Sequence, residues 1–528
     1  MFSPQIHRYI FLFGVCGLAF GMMVGTVPTS VPQFILLGNW LLEMDFKSKW
    51  LQLKNNKIFW ILSSVFLIHI VGLMHTENMS GGWDAIRTKL PIMFLPMVFL
   101  SSEQLSRKEF YGVIYCFLAG SVINTAWCYI YTFILHKNEV VRSASRFMSH
   151  IRLGLYLNVA IACCAYFVVI REDLIKRIFF GLLIIYFLMA MYSLGLVSGF
   201  ANFFILSFLS LGYLIFKMNL KIKLLLILSI FTGIFIAGNY ILKIYTAQTS
   251  VNPTEVNSRL EKAVSGRKYY HFDSTTQKEN GNIVHINIQL EELKTEWSRR
   301  SPVDSFAFNN EYNRERFQVL IRYLASKGLK KDSVGVWSLS KNDIKNIHNN
   351  ITNYEMPEWS YFHKRIYEWV NEYDEFKNNR TVNGHSLIMR LYFWKAAIHV
   401  IKNNVLFGIG SGDVQKQLNK TYRETNTPLS EEWFKRPHNQ FLTIGVALGI
   451  FGMIIFILSL VLPIIFLRKY LHVLYWPFIL LAIISFLIED TLETQAGLTF
   501  YAFFNAMFIS LAYYRKNNAV EDNSGSEI

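Results

Sequence analysis

Charge is scarce in this chain. Only 17% of its 528 residues are charged, against roughly 25% in an ordinary soluble domain, and that deficit excludes one. Acidic residues are the rarer sign, 37 Asp+Glu against 52 Lys+Arg. Cysteine is rare too. Cys16, Cys116, Cys128, Cys163 and Cys164 all fall inside apolar segments. With no CxxC and no Cys/His ligand spacing, neither a disulfide-stapled fold nor a metal site is expected. What is abundant is apolar: 52% hydrophobic and 16% aromatic residues, too much for a disordered chain. These residues fall in runs approaching the ~20 residues that a membrane-crossing helix needs. The formal net charge of +15 would suit a nucleic-acid binder. Much of the excess, however, sits in short loops between apolar runs, the pattern of membrane topology rather than of a phosphate-binding face.

Apolar runs occur at 9–25, 29–44, 58–74, 90–101, 111–135, 153–170, 178–194, 197–216, 224–242, 439–467, 473–488 and 498–514. They predict an all-α polytopic membrane protein of about twelve spans. The first run follows a lone Arg8 and lacks a small-residue cleavage site, so it reads as a retained span. Residues 1–242 form an N-terminal membrane half of nine spans, 243–438 a large, mainly helical extramembrane domain, 439–514 three further spans, and 515–528 a tail. The large domain carries 29 Lys+Arg and 22 Asp+Glu. Within it, Arg314 to Gly328 has helical apolar spacing and Asn280-Gly281-Asn282 reads as a turn. Of the 23 Lys+Arg outside the domain, 17 share one side if the N-terminus is cytoplasmic. That bias puts both termini in the cytoplasm and the large domain outside the inner membrane.

One segment breaks the bias. His136 to Arg152 is assigned outside yet carries Lys137, Arg142, Arg146 and Arg152, with His150 among them. It reads either as a solvated loop that crossed despite its charge or as an external anion site, since guanidinium forks match phosphate geometry. Two further blocks hold candidate chemistry. Arg390 to Val414 begins with helical spacing (Leu391, Trp394, Ala397 and Ile398 on one face) and closes in a turn built on Gly408, Gly410 and Gly412. That turn reads as a phosphate-cradling nest or simply as a turn. The second block, Arg436-Pro437-His438-Asn439-Gln440, directly precedes a long apolar run containing Gly445, Gly449 and Gly452. The spacing of these glycines is that of ordinary small-residue helix packing.

In order, the chain shows a multi-span half, a long external domain, Arg-x-x-x-Trp-Lys-Ala-Ala, Gly-x-Gly-x-Gly-Asp, then Pro-His-Asn-x-Phe-Leu-x-x-x-x-x-x-Gly. This resembles the O-antigen ligase and polymerase family of bacterial inner membranes. Glu489 to Gly497 and Leu320 to Asp332 look like segments of its Bacteroidetes-type members. The resemblance implies a metal-independent glycosyltransferase with no cofactor, acting in lipopolysaccharide biosynthesis at the periplasmic face. Its donor would be a glycan on undecaprenyl diphosphate and its acceptor a hydroxyl of lipid A–core or of a growing glycan; its setting is the lipid bilayer, with no nucleic-acid partner. It implies His438 as general base and Arg390 as a diphosphate ligand. The glycine turn and Asn439 are carried as substrate-binding candidates.

One departure matters. The family usually has Ser-Arg-Gly where this chain reads Leu196-Val197-Ser198-Gly199-Phe200, so a second functional cation is missing at Gly199. Arg152, Arg146 and His150 are the expected substitutes. Ligase and polymerase share these motifs, with ligase the first reading, and transfer to proteins or other surface polymers is a related option. A secondary transporter would instead show internal repeats and interrupted helices with ionisable residues near the midplane. A sensor that uses the domain as a binding module is favoured only if His438 and Arg390 prove dispensable. The Lys/Arg asymmetry gives a direct test: a topology reporter fused near Ser301 should be active only outside the cytoplasm, and one fused after Arg515 only inside. The reverse result at either position overturns the orientation.

Overall fold

The computed structural model describes residues 3–135, 147–217, 220–254, 257–272, 277–301, 311–378 and 382–525. The protein is predominantly α-helical and multi-pass, with a long soluble helical region. Each of the twelve apolar runs falls on a helix. Among the described residues, eight helices are long and apolar enough to cross a membrane, from Pro4–Val24 to Gln495–Ala519, while Val197–Gly212 and Tyr475–Ile488 are apolar but shorter. The run at 90–101 turns out to be the second half of a 23-residue helix, Met79–Ser101. Asp84, Arg87 and Lys89 interrupt the hydropathy of its first half and conceal its length. The chain divides into two compact units, one of Met1–Leu214 with Arg390–Ile528 and the other of Ile215–Met389.

The first unit is a helical membrane bundle. At its centre lies the C-terminal helix, Gln495–Gly525, whose apolar window is 89% buried. Phe500 of this helix stacks on Tyr156 at 4.0 Å between ring centroids, and Phe504 meets Phe117 edge-on at 5.0 Å. Between lipid-embedded helices association rests on close packing, and small residues permit it here. A Cβ added at Gly21 would lie 2.0 Å from the Pro28 carbonyl oxygen, and one at Gly120 2.7 Å from that of Phe20.

Helix Gln440–Leu467 is broken at Gly449, which has φ 64° and ψ −160°. A break strips amides and carbonyls of their helical partners, which is tolerated at membrane depth only where protein re-satisfies them. The segment 405–410 does so. Ile409 and Gly410 donate to the carbonyls of Val446 and Ala447 at 3.1 and 2.9 Å, while Ile450 and Phe451 donate to those of Val405 and Leu406 at 2.8 and 3.4 Å. So close an approach requires glycine on both sides: a Cβ at Gly408 would stand 2.5 Å from the Ala447 backbone, and one at Gly449 2.4 Å from the Leu406 oxygen.

The second unit contains the long helix Leu220–Thr249, shorter soluble helices and a two-stranded ribbon pairing Lys278–Glu279 with Asn282–Ile283. The ribbon turns through Asn280 and Gly281, both at positive φ, as the Asn-Gly signal implies. The helical spacing at Arg314 to Gly328 corresponds to Glu311–Ser326. That helix buries Leu320, Tyr323 and Leu324 against Trp297, Val284 and Ile288. Glu279 is fully buried beneath this core and is paired with Arg322 at 2.6 Å.

Candidate active site

The site lies within the first unit, around a turn joining Tyr475–Ile488 to Gln495–Gly525. This turn, Glu489-Asp490-Thr491-Leu492-Glu493, places three carboxylates in five residues, and each holds a different part of the site. Glu489 is bidentate between two functional candidates: Arg390 Nη2 reaches its Oε1 at 3.2 Å and His438 Nδ1 its Oε2 at 3.3 Å. Arg390 also donates to the Ile488 carbonyl at 2.7 Å. Sequence reasoning picked Arg390 and His438 from blocks separated by the glycine turn and a further helix. The fold brings both onto one carboxylate.

Asp490 fixes the backbone that carries the histidine. Its two oxygens accept from the amides of His438 at 3.0 Å and Asn439 at 3.2 Å, and from the Thr443 hydroxyl at 2.5 Å. His438 has φ 50°, a left-handed conformation that costs an L-residue other than glycine roughly 1–2 kcal/mol. Asp490 holds it there. The turn matters because Asn439 directly follows and caps helix Gln440–Leu467, its Oδ1 accepting from the Leu442 amide at 3.1 Å. Its side-chain amide donates to the Leu487 carbonyl at 3.1 Å. Asn439 therefore works inside the protein, as a cap and a tie. The Trp394 indole adds a bond to the Pro437 carbonyl at 2.9 Å, so the helix that carries Arg390 also steadies the segment that carries His438.

Glu493 accepts from Lys89 at 3.0 Å, from Arg436 at 2.7 Å and from the Gln440 side chain at 3.1 Å. The Lys89 side chain is only 1% exposed. A buried ammonium of this kind requires an ionised partner. Nothing in the local sequence around Lys89 announced this role. A usable signal was present at the other end: three acids close together between two apolar runs of a chain poor in acid.

The carboxylates titrate differently. Burial opposes ionisation of Glu489, but the His438 hydrogen bond and the charges of His438, Arg390 and Arg152 outweigh it and hold its carboxyl below the ordinary range. Burial likewise opposes ionisation of Glu493, and Lys89, Arg436 and His69 overcome it, so its pKa is depressed. Asp490 goes the other way, raised by burial and by the neighbouring Glu493 charge against the pull of Thr443, His438 and Arg436.

The remaining candidates divide. Arg152 lies in the first turn of helix His150–Ile170, half-buried, with its charge acting on Glu489. No described residue forms a hydrogen bond or ion pair with its guanidinium. His150, half-buried, opens the same helix. Arg146 and the loop 136–146 lie outside the described residues. Of the two readings of the glycine turn, the geometry favours the plain turn. The amide of Gly408 donates to the Asn404 carbonyl, that of Gly410 to Ala447 and that of Ser411 to Gly72, while Gly412 donates to the Thr76 hydroxyl at 3.3 Å. These N–H groups are already engaged by protein and form no open anion cradle; the glycines serve close packing against the broken helix. Gly199 is also a packing position. A Cβ there would meet Gly154 Cα at 3.0 Å and Met191 Cε at 2.9 Å, so an arginine would force the two helices apart. A cavity of about 570 Å³ lined by Arg107, Tyr111, Tyr166, His472 and Arg515 lies past the C-terminal end of helix Gln440–Leu467, whereas His438 precedes its N-terminus. Among the described residues, no group of three or more His, Cys, Asp or Glu side chains is placed to hold a metal.

The depressed Glu493 carboxyl carries a pH consequence. A group whose folded pKa is lowered contributes stability that is fully present above its ordinary value, 4.5, and lost as pH falls below it. Thermal unfolding of the purified chain from pH 7 down to pH 3 should show that loss, confined to the range below about 4.5. Glu493→Gln, which leaves Lys89 buried beside a neutral partner, should start about 3–5 kcal/mol less stable at pH 7 and fall less steeply with acid. An equal slope in both proteins contradicts the assignment.

Residues 334–457 match the family model described as O-Antigen ligase, a segment that includes Arg390, the glycine turn and His438 but not Lys89, Arg152 or the acidic turn. No curated protein matches the chain. The family match covers about a quarter of the chain, and together with the multi-pass helical architecture it is consistent with an enzyme of the general O-antigen ligase and polymerase type.

Proposed function

We propose that the protein is an O-antigen ligase that transfers a glycan from undecaprenyl diphosphate to a sugar hydroxyl of lipid A–core at the periplasmic face of the bacterial inner membrane. The observation that carries the reading is that His438 and Arg390, both within the segment that matches the family model, meet on one carboxylate. In the reaction the acceptor oxygen attacks the anomeric carbon, and the bond to the diphosphate breaks with its electron pair leaving on phosphate. His438 takes the acceptor's proton, a task suited to imidazole near neutral pH. The departing lipid diphosphate needs its charge neutralised rather than an acid. Arg390 supplies part of that charge, and Arg152 supplies the cation that the chain lacks at Gly199. An oriented base and cations suffice for this chemistry, so no metal or cofactor enters the scheme. The Lys/Arg bias of the loops supports an outer position for the large domain, 243–438, on the side where the transfer would occur.

The surface-glycan pattern of a deletion strain tests the reading. Loss of the lipid A-linked ladder with accumulation of carrier-linked chains indicates a ligase. A single repeat unit on lipid A–core indicates the polymerase of the same family, and an unchanged pattern removes both.

Two substitutions test the residue roles. His438→Ala should lower transfer about 10²- to 10⁴-fold with protein level and membrane insertion retained; a variant keeping half the wild-type rate is incompatible with a base. Arg152→Ala should lower transfer about 10- to 150-fold, since a charge-assisted hydrogen bond contributes about 1.5–3 kcal/mol. Arg152→Lys should recover little of it if two-pronged contact with phosphate matters. Unimpaired transfer by Arg152→Ala returns the missing-cation question to Arg146.

A further inference from the structure

Glu489 occupies a position that the proposed reaction does not yet use. It is the residue after helix Tyr475–Ile488, in extended conformation with φ −148° and ψ 155°. Its amide is tied to the Ser485 carbonyl at 2.8 Å. The side chain is 19% exposed, and its two oxygens divide between Arg390 and His438. The neighbouring Asp490 grips the backbone of the same histidine. Two consecutive acids thus hold one imidazole, one by its ring and one by its main chain.

The identity of the bonded ring atom is informative. An ionised carboxylate can only accept, and the balance of groups around Glu489 keeps it ionised. A hydrogen bond between Glu489 Oε2 and His438 Nδ1 therefore requires the proton to sit on Nδ1. In a neutral imidazole that leaves the lone pair on Nε2. Among the described residues no group hydrogen-bonds to Nε2, and the His438 side chain remains 32% exposed. The 3.3 Å separation is long, as such bonds commonly are before substrate binds. The charged groups facing this pair are Arg390 from helix Ser386–Asn403, Arg152 from helix His150–Ile170, and Asp490 on the turn itself. Phe393, one helical turn from Arg390, sets its ring 5.9 Å from the imidazole and limits how the ring can swing.

We propose that Glu489 is the positioning residue of the transfer: its carboxylate fixes the His438 tautomer so that Nε2 receives the acceptor's proton, and stabilises the imidazolium that results. The proton passes from the acceptor hydroxyl to Nε2, Nδ1 keeps its own, and Glu489 stays ionised throughout. The same carboxylate sets the angle at which Arg390 meets the donor. This inference rests on the proposed glycan transfer and names the group that organises it.

The test uses the full-length chain in lipid nanodiscs, with a carrier-linked glycan extracted from the native membrane as donor. Glu489→Gln keeps the shape and removes the charge. It should lower kcat at least about 10-fold, with the base's own worth of about 10²–10⁴ as the ceiling, while the KM for donor changes less than about 3-fold, the signature of an effect felt in the transition state. Glu489→Asp keeps the charge and should recover more of kcat than Glu489→Gln. A Glu489→Gln protein with wild-type kcat overturns the inference. So does a loss confined to KM, which would make Glu489 an accessory of donor binding, or a failure of both variants to accumulate in the membrane, which would make it purely structural. A wild-type chain that transfers no glycan, with His438→Ala indistinguishable from it, defeats the proposed function itself.

Discussion

Three cations at the membrane boundary depend on one short acidic turn. Lys89, Arg390 and Arg436 come from three separate segments, and each would be costly to keep charged in a partly buried site without an ionised partner. The turn serves all three because its backbone changes direction between its acids. Glu489 is extended, Asp490 follows it, and the single 3-10 turn Thr491–Glu493 swings the last carboxylate toward Lys89. In a continuous helix the first and last of these acids, four residues apart, would share one face. Position in the bundle, charge balance and the orientation of the histidine therefore rest on the same five residues.

The helices were legible in the sequence because lipid exposure demands long apolar runs, whereas His438 and Arg390 stand out only through the resemblance of their motifs to those of a known family. Their convergence was not legible, since it depends on Glu489, 51 residues beyond His438. The Lys89–Glu493 pair spans 404 residues, and no local pattern links its ends. The segment from Glu489 to Gly497 was read only for its resemblance to relatives, although three acids between two apolar runs of an acid-poor chain are themselves a sign of buried cations. The glycine turn stays ambiguous in the sequence for a related reason. Glycine spacing reports that backbones come close, and only the break at Gly449 reveals that the close partner is a helix of the same protein rather than a phosphate.

The break joins the two motifs that sequence inspection treats separately. Half of helix Gln440–Leu467 begins at the histidine and ends at Gly449, where the segment after the Arg390 helix supplies its missing hydrogen bonds. The Gly-x-Gly-x-Gly block and the Pro-His-Asn block thus form one mechanical piece. Asp413 extends it by accepting from the amides of Glu77 and Asn78 at 2.7 and 3.2 Å, directly ahead of the helix that delivers Lys89. Substitution of these glycines would consequently be felt at the histidine without any contact to a substrate.

The left-handed backbone at His438 bears on how this chain responds to selection. Histidine at φ 50° carries a backbone strain that glycine would not. On the proposed role of His438, what the fold gives up at this position is recovered through the chemistry of the imidazole. A screen that rewards heat resistance alone would then drift toward glycine here and lose the proposed base, whereas selection on the product of the proposed transfer would keep the histidine in place.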